Sequence, residues 1–123
     1  MDFSILHDTV LTQIYTSNKI LQLTFEQEYC SVPKCFALTL YGVRFLSIKN
    51  FWEKNIILSC ELRTLKELSD CDCSLLFHEP RDIGKEREKM SGNEKILQIY
   101  SSLGAEIICM FEEIQWQQSR ELI

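Results

Sequence analysis

Two residues near the amino terminus have side chains suited to proton transfer. The imidazole of His7 is followed directly by the carboxylate of Asp8, and such a pair can serve in general acid–base catalysis. On a strand, however, neighbouring side chains point to opposite faces, so adjacency in sequence does not bring these two together. No nucleophile motif accompanies them. We therefore interpret both as hydrogen-bonding residues at the start of the first strand, and expect a protein that is not an enzyme.

The six cysteines raise the question of a metal site. Structural zinc usually takes two cysteine pairs with two to four residues between the partners, and only Cys30 and Cys35 have that spacing. Cys71 and Cys73, followed by His78, form a Cys-x-Cys that on a strand would point both thiols the same way. We predict no metal and no cofactor. A small metal- or ligand-binding β-domain, using Cys71, Cys73 and His78, remains the alternative.

Acidic side chains are the main candidates for binding a partner. The chain has 18 Asp and Glu against 13 Lys and Arg, a formal net charge of −5. Such a surface repels nucleic acid and anionic membranes and favours a basic protein, although it also serves solubility. The acids form a group around a predicted short helix and a group on the last strands. The candidate binding residues are Glu67, Asp70, Asp72, Glu79, Glu106, Glu112 and Glu113.

Other classes of site find little support in the sequence. The four glycines form no phosphate-binding loop, and no basic stripe with interleaved aromatics indicates nucleic-acid binding. The adjacent Phe51 and Trp52 suit either a surface anchor or a lid over one end of the core, and we favour the lid. No basic leader and no apolar stretch long enough for a membrane span are present, so we expect a cytoplasmic protein with reduced cysteines.

The elements that must position these residues are mostly strands. Residues 9–27 predict a hairpin with a two-residue turn at Ser17-Asn18, which places Val10, Ile14 and Phe25 on one face. A second hairpin has the three-residue loop Ser102-Leu103-Gly104, which pairs Ile99 with Ile107 and Leu97 with Cys109. The opposite face of this second hairpin is half apolar. We therefore expect a helix, another sheet layer or a partner to cover it in part.

Between the hairpins, residues 35–62 contain three apolar runs with period two. Phe36, Leu38 and Leu40 share one face, and Ile56, Leu58, Cys60 and Leu62 share another. We interpret the stretch as two or three neighbouring strands at the centre of a sheet, with a possible bulge at Gly42.

A helix and a charged loop follow. Thr64-x-x-Glu67 has the spacing of a capping box and predicts a short helix ending near Asp70-Cys71. Ser74 to His78 suits a brief strand, residues 79–95 an exposed charged loop, and residues 117–123 a frayed or helical tail. Together these elements predict a single mainly β (α+β) domain over residues 1–123, an antiparallel sheet curled into a sandwich or half-barrel with one short helix.

Four stretches of the chain resemble a known class of protein. They are Leu6–Leu11 (LHDTVL), Leu40–Leu46 (LYGVRFL), Phe51–Ile57 (FWEKNII) and Ser101–Cys109 (SSLGAEIIC). These stretches resemble small bacterial immunity-like domains that accompany polymorphic and contact-dependent growth-inhibition toxins. The resemblance implies a non-enzymatic inhibitor that binds one cognate toxin domain, often a nuclease, in the cytoplasm of the producing cell. The shared motifs are structural, so they assign no contact residue.

Overall fold

The computed structural model describes residues 3–28, 34–76 and 90–119. Predictions that involve Cys30, His78 or Glu79, and most of the charged loop, lie outside the described residues. The strands are β1 (Val10–Ser17), β2 (Ile20–Gln27), β3 (Lys34–Tyr41), β4 (Phe45–Lys49), β5 (Asn55–Thr64), β6 (Lys95–Leu103), β7 (Glu106–Phe111) and β8 (Glu113–Ser119). One helix, α1 (Asp70–Leu76), follows a 3₁₀ turn at Leu65–Glu67, and another 3₁₀ turn at Ser4–Leu6 precedes β1.

All eight strands form one antiparallel sheet in the order β4-β7-β6-β5-β1-β2-β3-β8. We call β4, β7, β6 and β5 the α1 half, and β1, β2, β3 and β8 the hairpin half. At the seam between them, β1 and β5 pair through Val10–Ile56 and Leu11–Asn55, and the backbones of Asp8 and Thr9 bond to Ile57. The strands at the two ends of the order, β4 and β8, are not paired with each other, so the sheet is curled but not closed. The mainly β, curled architecture is as predicted.

A bent two-stranded ribbon also joins the two halves. β3 continues into β4 and β7 into β8, while β4 pairs with β7 and β3 with β8. At the bend, the Glu112 N–H donates to the Tyr41 carbonyl at 2.9 Å, and the Arg44 N–H donates to the Met110 carbonyl at 3.0 Å. Gly42 has φ +67°, and a Cβ there would lie 2.7 Å from Glu112 Cδ. Bent strands that pass from one layer to another form the corner of such a fold.

The inner faces of both halves share one apolar core. The hairpin half contributes Leu21, Leu23, Phe25, Phe36, Leu38 and Leu40, and the α1 half contributes Ile57, Leu97, Ile99, Ile107, Cys109 and Phe111. Trp116 of β8 also packs here, with its ring stacked on Phe36 at a centroid distance of 5.3 Å. Because all of these side chains lose water only when the two halves face each other, burial of apolar area holds the curl.

The first hairpin forms with a different register from the predicted one. Its turn residues are Asn18 and Lys19, with φ +50° and +61°, so β1 and β2 pair through Ser17–Ile20 and Ile14–Leu23. Two positive φ values are those of a type I′ turn, whose twist suits a hairpin. An irregularity between Leu11 and Gln13 turns Leu11 into the core, where the alternation had placed Val10. The predicted turn at Ser17-Asn18 is therefore wrong by one residue.

The prediction of up to three strands in residues 35–62 is confirmed, as is the shared buried face of Phe36, Leu38 and Leu40, but the placement of the strands side by side is wrong. β3, β4 and β5 are not neighbours, since β4 is an edge strand and β5 lies between β6 and β1. Within β5, Ile57 is fully buried whereas Leu58 is 51% exposed, the reverse of the prediction. The register of β5 shifts between Ile56 and Ile57 and again between Ile57 and Ser59. These shifts break the period of two that the prediction relied on.

The pairs predicted for the second hairpin are confirmed: Ile99 pairs with Ile107 and Leu97 with Cys109, and Gly104 has φ +98°. The predicted three-residue loop is shorter in the structure, because β6 continues to Leu103 and only Gly104 and Ala105 separate it from β7. The outer face was expected to need cover, and α1 with its preceding 3₁₀ turn supplies it. The second apolar cluster consists of Leu65, Leu68, Cys73, Leu76, Ile96, Ile108 and Met110.

Two local predictions around the helix and the tail are wrong. The helix begins at Asp70 and does not end there, so residues 74–76 are helical rather than a strand. Residues 117–119 belong to β8 and are neither frayed nor helical. In the helical conformation, Leu76 of α1 reaches the second apolar cluster. Residues 117–119 continue β8 because they pair with residues 35–37 of β3.

Candidate binding surface

The helix covers the outer face of the α1 half incompletely and leaves a groove along its side. This groove lies between α1 and the strands β4, β6 and β7, and its cavity volume is about 20 Å³. We call it the Tyr100 groove. Its polar lining residues are Ser47, Lys49, Asp72, Gln98, Tyr100 and Glu106.

A buried glutamine lies at the base of the Tyr100 groove. Gln98 is only 3% exposed, and its Nε2 donates to the Tyr100 hydroxyl at 2.8 Å. Within residues 3–28, 34–76 and 90–119, the Gln98 Oε1 has no hydrogen-bond partner. Buried amide oxygens in folded proteins are nearly always paired, because an unpaired one loses its hydration without compensation. The wall of the groove therefore contains one buried side-chain oxygen without a partner among the described residues.

Carboxylates from three elements act on Tyr100. Burial raises the pKa of the Tyr100 hydroxyl, and the negative charge of Asp72 raises it further. Arg63 acts in the opposite direction, but Glu61 and Glu106 add to the rise. The Arg63 guanidinium forms an ion pair with the Glu61 carboxylate beside the groove. The field at the Tyr100 hydroxyl is therefore negative, and Asp72 and Glu106 supply the carboxylates that line the groove itself.

The other predicted acids lie elsewhere on the α1 half and at the bend. The Glu67 carboxylate accepts hydrogen bonds from the Thr64 N–H at 2.9 Å and from the Thr64 hydroxyl at 2.8 Å, so the carboxylate side of the predicted capping box is present. Lys95 lines the same surface depression as Glu67, and its Nζ donates to the Glu112 carbonyl at 3.0 Å. Glu113 opens the edge strand β8.

The six predicted acids among the described residues thus fall into four positions, one of which is Glu113 at the start of β8. The structure brings Asp72 and Glu106 together in the Tyr100 groove, and Lys95 lines a depression with Glu67 and contacts the Glu112 carbonyl. Asp70 is exposed on α1, apart from the groove lining.

His7 and Asp8 are in contact, contrary to the sequence argument. The His7 Nδ1 lies 3.1 Å from an Asp8 carboxylate oxygen, and both side chains are more than half exposed. The argument assumed a strand, whereas the two residues follow the 3₁₀ turn Ser4–Leu6, and Asp8 has φ +66°. A left-handed residue does not alternate faces with its neighbour as strand residues do. The pair lies on the surface and outside the Tyr100 groove.

The cysteine pair of the metal alternative does not have the expected geometry. Cys71 and Cys73 lie on α1 and not on a strand, so the two residues face different directions: Cys71 is exposed, and Cys73 is buried in the second apolar cluster. Among the residues that the structure describes, no three His, Cys, Asp or Glu side chains are grouped to hold a metal ion.

Phe51 and Trp52 do not close the core as predicted. They are 46% and 68% exposed on the loop between β4 and β5. The loop is nevertheless fixed, because the buried Asn55 Oδ1 accepts from the Trp52 N–H at 2.9 Å and from the Ala105 N–H at 3.0 Å. Asn55 Nδ2 donates to the Trp52 carbonyl at 2.8 Å and to the Leu11 carbonyl at 3.3 Å. One amide therefore ties together the loop, the second hairpin and β1.

Sequence reasoning missed both Asn55 and Gln98. A signal existed for Gln98, which is a polar residue on the half-apolar face between Ile96 and Tyr100 that was expected to be covered. A covered polar residue requires partners, and an unpaired one marks a position of interest. For Asn55 the signal was weaker, since an asparagine before an apolar run suits an ordinary turn equally well.

Comparison with known proteins found no matching family model, no matching curated protein and no matching solved structure. In the part of the chain that the structure describes, the single α-helix and the 3₁₀ turns are far too short to cross a membrane.

Proposed function

We propose that this chain is an immunity protein that binds a cognate basic toxin domain in the cytoplasm and blocks its active site through an acidic surface. The observation that carries the proposal is the Tyr100 groove, where Asp72 from α1 and Glu106 from β7 lie beside a buried, unpaired Gln98 oxygen. The formal net charge of −5 supports the same kind of partner, because it favours encounter with a positively charged protein.

The resemblance to immunity-like domains adds support of a different kind. Three of the four similar stretches meet at one residue: Asn55, within Phe51–Ile57, bonds to the Leu11 carbonyl of Leu6–Leu11 and to the Ala105 N–H of Ser101–Cys109. These three stretches therefore form one junction of the fold, and Ser101–Cys109 also contributes Glu106 to the Tyr100 groove.

The test is binding to the product of the neighbouring reading frame. We expect the chain to co-purify with a basic domain encoded directly upstream, and calorimetric titration with that domain to give a dissociation constant in the nanomolar range. Reversing the charge of Glu112 and Glu113 together, by Glu112→Lys with Glu113→Lys, is expected to weaken binding at least tenfold while leaving the fold intact, because both side chains are exposed.

A matched control reverses two charges elsewhere on the surface. Glu28 and Glu53 are exposed, and Glu28 forms an ion pair with Lys54, the residue that follows Glu53. The double variant Glu28→Lys with Glu53→Lys carries the same change in net charge and is expected to bind within about threefold of the wild type. Equal losses in both variants would reduce the effect to net charge, and an unchanged affinity for the first variant would remove the Glu112–Glu113 patch from the binding surface.

A further inference from the structure

We propose that the outer edge of strand β8 pairs with the same edge of a second copy of this chain, so that two curled sheets join into one. This inference goes beyond the proposed function and does not depend on it. Three features carry it: the contrast between the two edge strands, the incomplete burial of the apolar side chains on β8, and the uncharged composition of that strand.

The two edge strands of the sheet differ in how well they are protected. Edge strands in natural proteins are usually short, charged or covered, because their unpaired backbone groups otherwise bind another strand. β4 has only five residues, follows Arg44, ends in Lys49 and contacts α1. β8 has seven residues, and its stretch Ile114 to Gln118 contains no charge, no proline and no glycine. Within residues 3–28, 34–76 and 90–119, β8 has β3 on one side and no strand on the other.

The apolar side chains of β8 are incompletely buried. Ile114 and Trp116 pack against the shared core, but each is only half-buried. Their partners in the register of β3, Leu40 and Leu38, are fully buried. The difference follows from position, since a side chain on an edge strand has a cross-strand neighbour on one side only. A strand added at the edge of β8 would remove more of both apolar side chains from water.

Two copies of β8 can pair along their whole length. Identical antiparallel strands are related by a two-fold axis perpendicular to the sheet, so each inner face continues into the inner face of the partner. An axis through Trp116 includes all seven residues of the strand. The cross-strand pairs are then Trp116–Trp116, Gln115–Gln117, Ile114–Gln118 and Glu113–Ser119.

The composition of β8 favours a second copy over a basic strand. Like charges directly opposite each other destabilise a sheet, so a strand that pairs with itself needs an uncharged centre, which β8 has. A glutamine amide both donates and accepts, so the exposed Gln115 and Gln117 suit each other across the axis. A basic strand, in contrast, would find one carboxylate along β8, that of Glu113.

The test measures self-association of the full chain alone by sedimentation velocity. One seven-residue strand per subunit is a small interface, so we expect a dimer with a dissociation constant on the order of 100 μM. Added salt should strengthen this dimer, because each copy has a net charge of −5 and salt screens their repulsion. Backbone amide exchange in β8 should become slower as the chain concentration rises through the dissociation constant, while exchange in β1 stays unchanged.

Charge variants test the register. Gln115→Lys with Gln117→Lys places like charges opposite each other and is expected to weaken the dimer about tenfold, as is Gln115→Glu with Gln117→Glu. A mixture of these two variants should associate at least as tightly as the wild type, because each lysine then lies opposite a glutamate. The matched control, Gln13→Lys with Gln22→Lys, changes exposed residues of β1 and β2 and is expected to stay within about threefold of the wild type.

Several results would overturn the inference. These are a chain that stays monomeric at about 1 mM, a dimer that salt weakens, equal weakening by the control, or a mixture that does not recover. Slow exchange in β8 at every concentration would also overturn it, since another part of the same chain would then cover the edge. Failure of the proposed function is distinguishable. A monomer that binds the upstream basic domain removes only the dimer, and a dimer that does not bind this domain removes only the immunity function.

Discussion

The two halves of the sheet share one core but differ on their outer faces. On the α1 half, Ile96, Ile108 and Met110 are buried beneath the helix. On the hairpin half, the corresponding outer positions include uncharged polar side chains aligned across the strands. One such row consists of Tyr15, Gln22, Thr39 and Gln115, all exposed or half-buried.

This difference explains where a binding site can form. A sheet face of Gln, Thr and Tyr side chains is stable in water without cover, whereas an apolar face must be buried. The helix that buries the apolar face also brings Asp72 over β6 and β7, next to Glu106 and Gln98. The groove beside the unpaired Gln98 oxygen therefore results from the way the helix covers the sheet, since it lies where α1 meets a sheet face that it does not fully fill.

The largest loss of stability is expected from a substitution at the seam between the two halves. Asn55 is fully buried and makes four hydrogen bonds, including one to the Leu11 carbonyl across the seam. Asn55→Ala leaves buried N–H and C=O groups without partners, and we expect a loss of about 3–4 kcal/mol in the free energy of unfolding. Urea denaturation followed by circular dichroism measures this loss.

The matched control for the seam is an asparagine at the surface. Asn93 is exposed in the segment before β6, and Asn93→Ala is expected to change the free energy of unfolding by less than about 0.5 kcal/mol. In the wild type both halves should unfold in one transition, because they share one core. Two separate transitions would show that the halves are independent units. A loss below about 1 kcal/mol for Asn55→Ala would show that the hydrogen bonds of Asn55 at the seam contribute little to the free energy of unfolding.

A second experiment sharpens the contrast between the outer faces. Ile108 is 4% exposed beneath α1, whereas Ile20 is half-buried on the outer face of the hairpin half. Ile108→Ala is expected to cost about 3 kcal/mol, since it removes buried methylenes and leaves a cavity. Ile20→Ala is expected to cost about 1 kcal/mol, because much of its side chain already contacts water. Equal costs, measured by urea denaturation, would mean that the two outer faces are buried alike.

The sequence predicts the second hairpin better than the first for a physical reason. At the second hairpin, a glycine in the loop and regular alternation on both sides agree on one register, with Gly104 in the left-handed region. At the first, Asn18 and Lys19 both adopt positive φ without a glycine to signal it, and an irregularity after Leu11 reverses the faces. Bulges leave no mark in the sequence when both neighbouring residues are compatible with burial.

The candidate site shows a similar limit. Asp72 and Glu106 were each identified as acids that could bind a partner, but their meeting depends on how α1 packs over β7, which is a long-range contact. The order of strands is also not local, since β3, β4 and β5 follow one another in the chain and separate in the sheet. Periodicity identifies strands and faces. It does not identify neighbours, because pairing is decided by the packing of the whole core.

The smallest expected effect concerns the capping box at the end of β5. It encloses the 3₁₀ turn that leads into the helix α1, and the turn and the helix together cover the outer face of the α1 half. Hydrogen bonds from the Thr64 hydroxyl and then from the Thr64 N–H hold the pKa of Glu67 below its ordinary value. Because the pKa is lower in the folded state, this contribution to stability is present above the unfolded pKa and is lost as the pH falls through the folded pKa.

Glu67→Gln should therefore lower the urea midpoint slightly at pH 7, where the carboxylate contribution is present, and make the decline below about pH 4.5 shallower, so that the two midpoints converge in acid. In this variant, backbone amide hydrogen exchange should become faster in α1 and stay unchanged in β2 and β3. The capping residues enclose the 3₁₀ turn that leads into α1, whereas β2 and β3 belong to the hairpin half. Glu53→Gln, on an exposed loop, is the control for removing one negative charge. Parallel urea midpoints for wild type and Glu67→Gln between about pH 6 and about pH 3 would show that the Glu67 carboxylate does not stabilise the fold. Amide exchange that becomes faster equally in both halves would show that the capping box does not act on α1 in particular.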